Sequence, residues 1–413
     1  MRESTRDEGT AGGVSAHSGD VSPDPIGQHA TMENIGSGNG EIAPAAGGAG
    51  PQRHERAPES GHRIGAMGDE PIPRIPLDRS EAMLELSGHR VRLTNLQKVF
   101  FPLGRITKGA LLQYYLDVAP VLLPHTEQRP MVMKRYPNGM SGKFFFMKRA
   151  PAPRPKWIRT CPIEHSGPGG LTEFPIVGDV ASLAWMINLG CIDLNPWYAR
   201  CDDMDRPDYL HFDLDPGEAT FEKTCEVALV LHEALSSLGM PNYAKTSGSG
   251  GLHIYVPIVR GPVQQDVWTF ARDLARELAE HHPKNITAEY RIAKRPPGRV
   301  LIDYNQNEWG RTLASVYSVR PMPRATVSTP VTWAEIAEGI SLEAFRIENV
   351  PSRVRKLGDL WAPLAPSSPD RYDLAAAIAP EFVPKQSMPV PKGDPGETDV
   401  TDLPDLSYGR AAF

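Results

Sequence analysis

The sequence predicts an α/β protein, and three observations carry that expectation. Tyr209–Asp215 is an apolar run with two acids, stopped by Pro216-Gly217, which reads as a buried strand. Leu252–Val256 and Val300–Asp303 are further short apolar runs, each preceded by a Gly-containing turn. Around them, Phe221–Leu238 and Val267–His281 carry apolar residues at helical spacing. Short strands alternating with amphipathic helices make an α/β domain.

The chain has 413 residues, enough for two or three ordinary domains, but it is unevenly composed. Residues 1–78 are rich in Gly, Ser, Pro, Ala, Asp and Glu and poor in aromatic residues. Such a segment buries too little apolar surface to offset its ordering entropy, so a disordered head is expected. A catalytic domain is expected over residues 79–365. A Pro-rich, loosely held tail is expected over 366–413. The head lacks the charged start and apolar run of a signal peptide. No stretch of about 20 apolar residues suggests a membrane span. Cys161, Cys191, Cys201 and Cys225 are scattered without metal-ligand spacing. That speaks against a zinc site and for a reducing, cytoplasmic setting.

Net charge is −6, from 44 Lys and Arg against 50 Asp and Glu. The distribution matters more than the sum. Between Arg90 and Arg159 stand fourteen basic residues against only Asp117 and Glu127. A block of this kind neutralises phosphates, or else is an ordinary solvated surface.

In chain order, Glu85–Leu93 alternates as a hairpin pair around Gly88. Thr107 reads as a helix N-cap, with Lys108–Val121 helical and Pro124 as the stop. Arg129–Gly139 reads as a strand and then a turn. Phe144-Phe145-Phe146 beside Lys148-Arg149 either stacks nucleotide bases or turns its rings into a core. Val180–Leu189 reads as an apolar helix ending near Gly190. On the central strand, Asp213 and Asp215 project from one face with Cα atoms about 7 Å apart, while Phe212 and Leu214 face the core. Paired carboxylates resist ionisation unless a cation sits between them, and oxygen ligands favour Mg²⁺ or Mn²⁺. The alternative is a strand-end turn with solvated acids. Thr246–Gly251 is a Gly/Ser turn whose amides suit phosphate oxygens, and it leads into a strand whose first polar residue is His253. It is not a P-loop, which needs Gly-Lys-Ser/Thr and a following helix. Asp303, at the end of its strand, is a candidate third metal ligand. Arg311 and Arg320 follow within reach of the same strand pair.

Three motifs, in this order and spacing, resemble the polymerase domain of bacterial ligase D, a branch of the archaeo-eukaryotic primase superfamily. They are Phe212-Asp213-Leu214-Asp215-Pro216-Gly217, Thr246-Ser247-Gly248-Ser249-Gly250-Gly251-Leu252-His253, and Ile302-Asp303-Tyr304 with the later Tyr317-Ser318-Val319-Arg320. Leu93-Thr94-Asn95 to Lys98 with Thr107-Lys108, and Leu357-Gly358-Asp359-Leu360, extend the likeness over residues 85–365. There is no Lys-x-Asp-Gly motif, so the chain is similar to stand-alone members that work with a separate ATP-dependent ligase such as ligase C.

The resemblance implies an archaeo-eukaryotic primase-like core of two mixed β-sheets flanked by helices. It implies two Mn²⁺ or Mg²⁺ ions on Asp213, Asp215 and Asp303, one activating the primer 3′-hydroxyl and one holding the triphosphate. Ser247, His253, Gln306, Arg320, Lys134 and Arg135 would serve the incoming NTP or dNTP. Lys98 and Lys108 would bind a downstream 5′-phosphate, and Phe145 and Phe146 would stack on the template. The implied activity is a template-dependent repair polymerase that fills short gaps with ribo- or deoxyribonucleotides, in end joining or excision repair. The implied partners are gapped or broken DNA, a separate ligase and the end-binding protein Ku, in the cytoplasm with the nucleoid. A primer-independent primase and a non-catalytic DNA-end adaptor are the rival readings. Two positions depart from the family: Asn195 stands where relatives have His, and Gly250 where relatives often carry Lys.

Overall fold

The computed structural model describes residues 72–164 and 170–378. Most of the expected disordered head, and the tail from 379, lie outside the described residues. The end of the head does not behave as expected. Ile75 is buried, and its amide donates to Gln113 Oε1 (2.8 Å), so the chain is already docked before residue 79.

Strands β1 (Glu81–Leu86) and β2 (His89–Thr94) form the expected hairpin. Its turn residues Ser87 and Gly88 both take positive φ, the twist that suits a two-residue hairpin loop. Short strands β3 (Val99–Phe101) and β4 (Ile106–Thr107) pair antiparallel and lead into helix α1 (Lys108–Thr126). Thr107 caps α1 by accepting from Ala110 N, as its position predicts. Pro124 does not stop α1, and Pro120 and Pro124 both lie inside it. Leu122 and Leu123 bury there, and their packing carries the helix two residues beyond the expected stop.

The smaller sheet has order β6-β5-β9, from β5 (Met131–Arg135), β6 (Phe145–Met147) and β9 (Cys191–Pro196). Between β6 and β9 lie a hairpin, β7 (Thr160–Glu164) with β8 (Leu171–Pro175), and helix α2 (Val180–Asn188). Asp179 and Ser182 form a capping box at the start of α2.

The larger sheet has order β13-β14-β10-β12-β11-β15. Its strands are β10 (Tyr209–Asp215), β11 (Tyr243–Thr246), β12 (Leu252–Pro257), β13 (Ile286–Thr287), β14 (Val300–Asp303) and β15 (Pro330–Val331). Only β13–β14 is parallel, so this sheet is mixed, whereas the smaller one is antiparallel throughout. Phe212 and Leu214 are fully buried in the main core, with the apolar residues of α3 (Phe221–Ser237) and α4 (Gln264–His281). The opposite face of β10 carries the acids. Helices α5 (Trp333–Glu338), α6 (Val350–Leu357) and α7 (Leu374–Ala377) follow.

Two further expectations are corrected. The tail does not loosen at 366. Arg371 donates to Asp208 O and Ala365 O, and Leu374 is fully buried, so the chain is still docked at residue 374. Cys161 and Cys201 are paired in a disulfide, while Cys191 and Cys225 are buried thiols. The pairing depends on Cα atoms 5.9 Å apart, a closeness that a sequence separation of 40 conceals. Among the described residues no helix is long and apolar enough to cross a membrane.

Candidate active site

Strand register builds the centre of the site. In the antiparallel ladder, Asp213 of β10 stands directly opposite Asp303 of β14 on one side and His253 of β12 on the other. Asp215, two residues on, shares the face of Asp213. Burial, with the charges of Asp303 and Asp215, pushes the Asp213 carboxyl up to about 8. A divalent cation would relieve that repulsion, and three carboxylates are the hard oxygen donors Mg²⁺ or Mn²⁺ requires.

The carboxylates are, however, engaged elsewhere. Asp215 Oδ2 accepts from Arg295 Nη1 (2.9 Å). Asp303 accepts from Asn305 N and Gln306 Nε2, each at 2.9 Å. Among the described residues no three His, Cys, Asp or Glu side chains converge as metal ligands. The donor set therefore fits a cation in chemistry and charge. Each of these oxygens keeps a second lone pair for it, and binding one requires the carboxylates to draw closer together.

The Gly-rich turn joins β11 to β12. Ser247 Oγ accepts from the amides of Ser249 (3.1 Å), Gly250 (3.1 Å) and Gly251 (2.9 Å). The amides expected to cradle phosphate converge instead on the turn's own hydroxyl. A Cβ on Gly251 would lie 2.0 Å from Leu214 O, so only glycine lets the turn pack on β10. A Cβ on Gly250 would meet Pro216 Cγ at 3.8 Å, which leaves room for a side chain there.

Arg320 ties this turn to the smaller sheet. Its Nη1 donates to Ser247 O, and its Nε lies 3.5 Å from Asp193 Oδ2 on β9. Asn195 Nδ2 donates to the same Asp193 carboxylate, so Asn195 braces an acid. Lys134 pairs with Asp193 in register and stands over the rings of Phe144 (4.5 Å) and Phe146 (5.6 Å). Burial lowers its ammonium, Asp193 raises it, and Arg320 lowers it again. Lys134, Asp193 and Arg320 thus form one charged group.

Phe144, Phe145 and Phe146 are 42%, 42% and 58% exposed, so the core-facing alternative is excluded and the rings are open to solvent. Arg135 departs from its expected place beside Lys134. It stacks on Phe145 (5.2 Å), donates to Leu189 O (2.8 Å), and its charge is felt at Lys108. Successive strand residues face opposite ways, which separates Lys134–Phe146 from Arg135–Phe145.

Lys98 Nζ donates to Pro137 O (2.7 Å) and Asn138 Oδ1 (2.8 Å). Lys108 Nζ donates to Thr94 O (2.7 Å) and Asn188 Oδ1 (2.8 Å). Burial, then Lys98 and Arg135, bring Lys108 down to about 8, so three cations crowd one spot. Such crowding suits an anion. Arg311, by contrast, pairs with its neighbour Glu308 at the surface.

A family model described as "LigD, primase-polymerase domain" matches residues 107–361, well over half of the chain. The chain belongs to the LigD primase-polymerase family. It is 35% identical over 309 residues to the multifunctional non-homologous end joining protein LigD of Mycolicibacterium smegmatis, covering 74% of this chain and 40% of that protein. It is 30% identical over 318 residues to the LigD repair protein of Mycobacterium tuberculosis strain H37Rv, covering 75% and 41%. The chain thus spans about two fifths of the length of the curated relatives it matches. The solved polymerase domain of Mycobacterium tuberculosis ligase D in complex with DNA matches with TM-score 0.63 at 30% identity, covering 68% of this chain and 99% of that one. The fold is therefore the archaeo-eukaryotic primase fold.

Within this primase-polymerase domain, sequence reasoning misses four residues. Asn307 is fully buried, and its amide bonds both the His211 amide (3.0 Å) and the His211 carbonyl (2.7 Å), pinning the turn after Asp303 to β10. Asp193 and Arg295 are ion-pair partners of site residues, and Lys245 backs His253. Only Lys245, alternating with the other residues of an apolar strand two positions before Ser247, leaves a usable signal.

Proposed function

We propose that the chain is a template-dependent nucleotidyltransferase that fills short gaps in DNA with ribo- or deoxyribonucleotides during repair. The observation that carries this is the register that sets Asp213 between Asp303 and His253, with the Ser247 turn and Arg320 alongside. Two Mn²⁺ or Mg²⁺ ions on Asp213, Asp215 and Asp303 would supply Lewis-acid activation and charge neutralisation.

The chain's own groups do the rest. Arg320 and His253 hold the triphosphate, and Ser247 gives up its amides to a phosphate oxygen. Gln306, now bonded to Asp303, lies beside the nucleotide. Lys134 steadies the nucleotide's charge from the smaller sheet, and Arg135 adds to the positive field towards the downstream strand. Phe145 and Phe146 stack on template bases. Lys98 and Lys108 take the downstream 5′-phosphate, each with the third N–H that its two present partners leave over. The DNA of the solved relative supports a DNA substrate here. The non-homologous end joining named for the relatives supports an end-joining role, in which a separate ligase and Ku would be the partners.

The adaptor reading has one observation in its favour, the engagement of Asp215 by Arg295. Extension of a primer across a short gap, with Mn²⁺, Mg²⁺ or EDTA, tests the two. Metal-dependent extension abolished by Asp213→Ala is expected. Intact DNA binding with no extension by the wild type under any of these conditions would leave the adaptor.

A further inference from the structure

Lys245 is only 1% exposed, yet it ends in an amine directly behind His253, itself 3% exposed. Three groups surround Lys245 Nζ: His253 Nδ1 at 2.7 Å, Ser328 Oγ at 2.7 Å and Ala314 O at 2.9 Å. A carbonyl oxygen only accepts. Ser328 Oγ gives its hydrogen to Thr246 O (2.8 Å), so towards Lys245 it accepts as well. With two directions fixed, the third decides the imidazole. An ammonium presents a third N–H to Nδ1, which must then be bare, and the ring's hydrogen sits on Nε2. A neutral amine presents a lone pair instead, and the ring's hydrogen moves to Nδ1.

Two observations favour the first arrangement. His253 Nε2 lies 3.4 Å from Asp213 Oδ1, an oxygen that suits an N–H. Lys245 Nζ also stands 5.6 Å over the ring of Tyr255, a face that attracts a cation. Burial opposes the charge and pushes Lys245 well below the ordinary lysine range, with Arg320 adding to this and Asp213 opposing it. An ammonium donating to Nδ1 at 2.7 Å leaves no hydrogen on that nitrogen, so the ring is neutral and its tautomer is what counts.

We propose that Lys245 is a positioning residue that fixes His253 in the Nε2–H tautomer, so that the ring offers a donor, not a lone pair, to the incoming triphosphate. The assignment of the triphosphate to this side of His253 rests on the polymerase reading above. A bare nitrogen there would face phosphate oxygens and repel them. Lys245 touches no substrate and acts only through His253.

The test reads the tautomer directly. Long-range ¹H–¹⁵N correlation spectra of the full chain, labelled at histidine nitrogen and assigned by the signal lost in His253→Asn, separate the two tautomers. Protonated Nε2 with a bare, hydrogen-bonded Nδ1 is expected in the wild type. Protonated Nδ1 overturns the proposal with no variant needed. In Lys245→Met the Nδ1 shift should move, and the KM for nucleoside triphosphate should rise about tenfold with affinity for gapped DNA unchanged. An unmoved His253 signal, with activity and DNA affinity falling together, means a packing role and overturns it too. If the wild type extends no primer, the polymerase reading fails, and the wild-type tautomer is still measured.

Discussion

At the scale of single residues, the site is a set of charges held in place by hydrogen bonds to the protein. Lys108 shows the consequence for pH. Its folded value is about 8, against 10.5 for an ordinary lysine, so its ammonium is lost as pH rises through about 8. A terminal 5′-phosphate is already fully charged there, its second ionisation lying near 6. Stimulation of extension by a downstream 5′-phosphate should therefore fade between about pH 7 and 9, as followed by extension with and without that phosphate. Unfolding is not the cause. Between about 8 and 10.5 the unfolded chain binds the extra proton, so this group makes the fold more stable as pH rises. Gly250→Lys restores a cation where the turn has room, and should lower the KM for nucleoside triphosphate by about fivefold, an effect of ~1 kcal/mol. Asn307→Ala leaves the His211 amide and carbonyl unpaired and should cost about 2–3 kcal/mol in a denaturant titration.

At the scale of elements, the strands that carry the acids are legible because their chemistry is local. Period-two alternation puts Phe212 and Leu214 inside and Asp213 and Asp215 outside, and the structure does the same. What alternation cannot supply is the neighbour across the ladder. That Asp213 faces Asp303 on one side and His253 on the other depends on register, which belongs to strand pairs. The end of α1 is hidden from the sequence because Pro124 is a local breaker, whereas the packing of Leu122 and Leu123 that overrides it is tertiary. The β6 edge is ambiguous for the same reason, since three Phe in a row fit a core as well as a platform. Its exposure makes a prediction: Phe146→Ala should weaken binding of template DNA by roughly tenfold, the loss expected for one stacked base. The Cys161–Cys201 link closes a loop spanning 40 residues of sequence, and its removal should cost roughly 3–4 kcal/mol. A thermal midpoint that falls on reduction of the native chain would show it.

At the scale of the whole molecule, one arginine ties the two sheets together at the site, above the core they share. Arg320 joins the Ser247 turn of the larger sheet to Asp193 of the smaller, and Lys134 completes that group. The motifs alone identify the fold and the family, because their order and spacing are specific even where each is weak. They do not reveal that Asp215 is held by Arg295, or that Ser247 occupies the phosphate-cradling amides. The first is a contact between distant parts of the chain, and the second depends on the folded shape of the turn. In both, groups suited to metal and phosphate have protein partners. Single-nucleotide extension of a gapped duplex with Mn²⁺ or Mg²⁺, wild type beside Asp303→Ala, decides whether the three acids make a metal-dependent nucleotidyltransferase. Extension by the wild type is expected, with a loss of at least about a hundredfold in the variant and DNA binding retained. Equal extension by both proteins would mean that the acids do not carry the reaction.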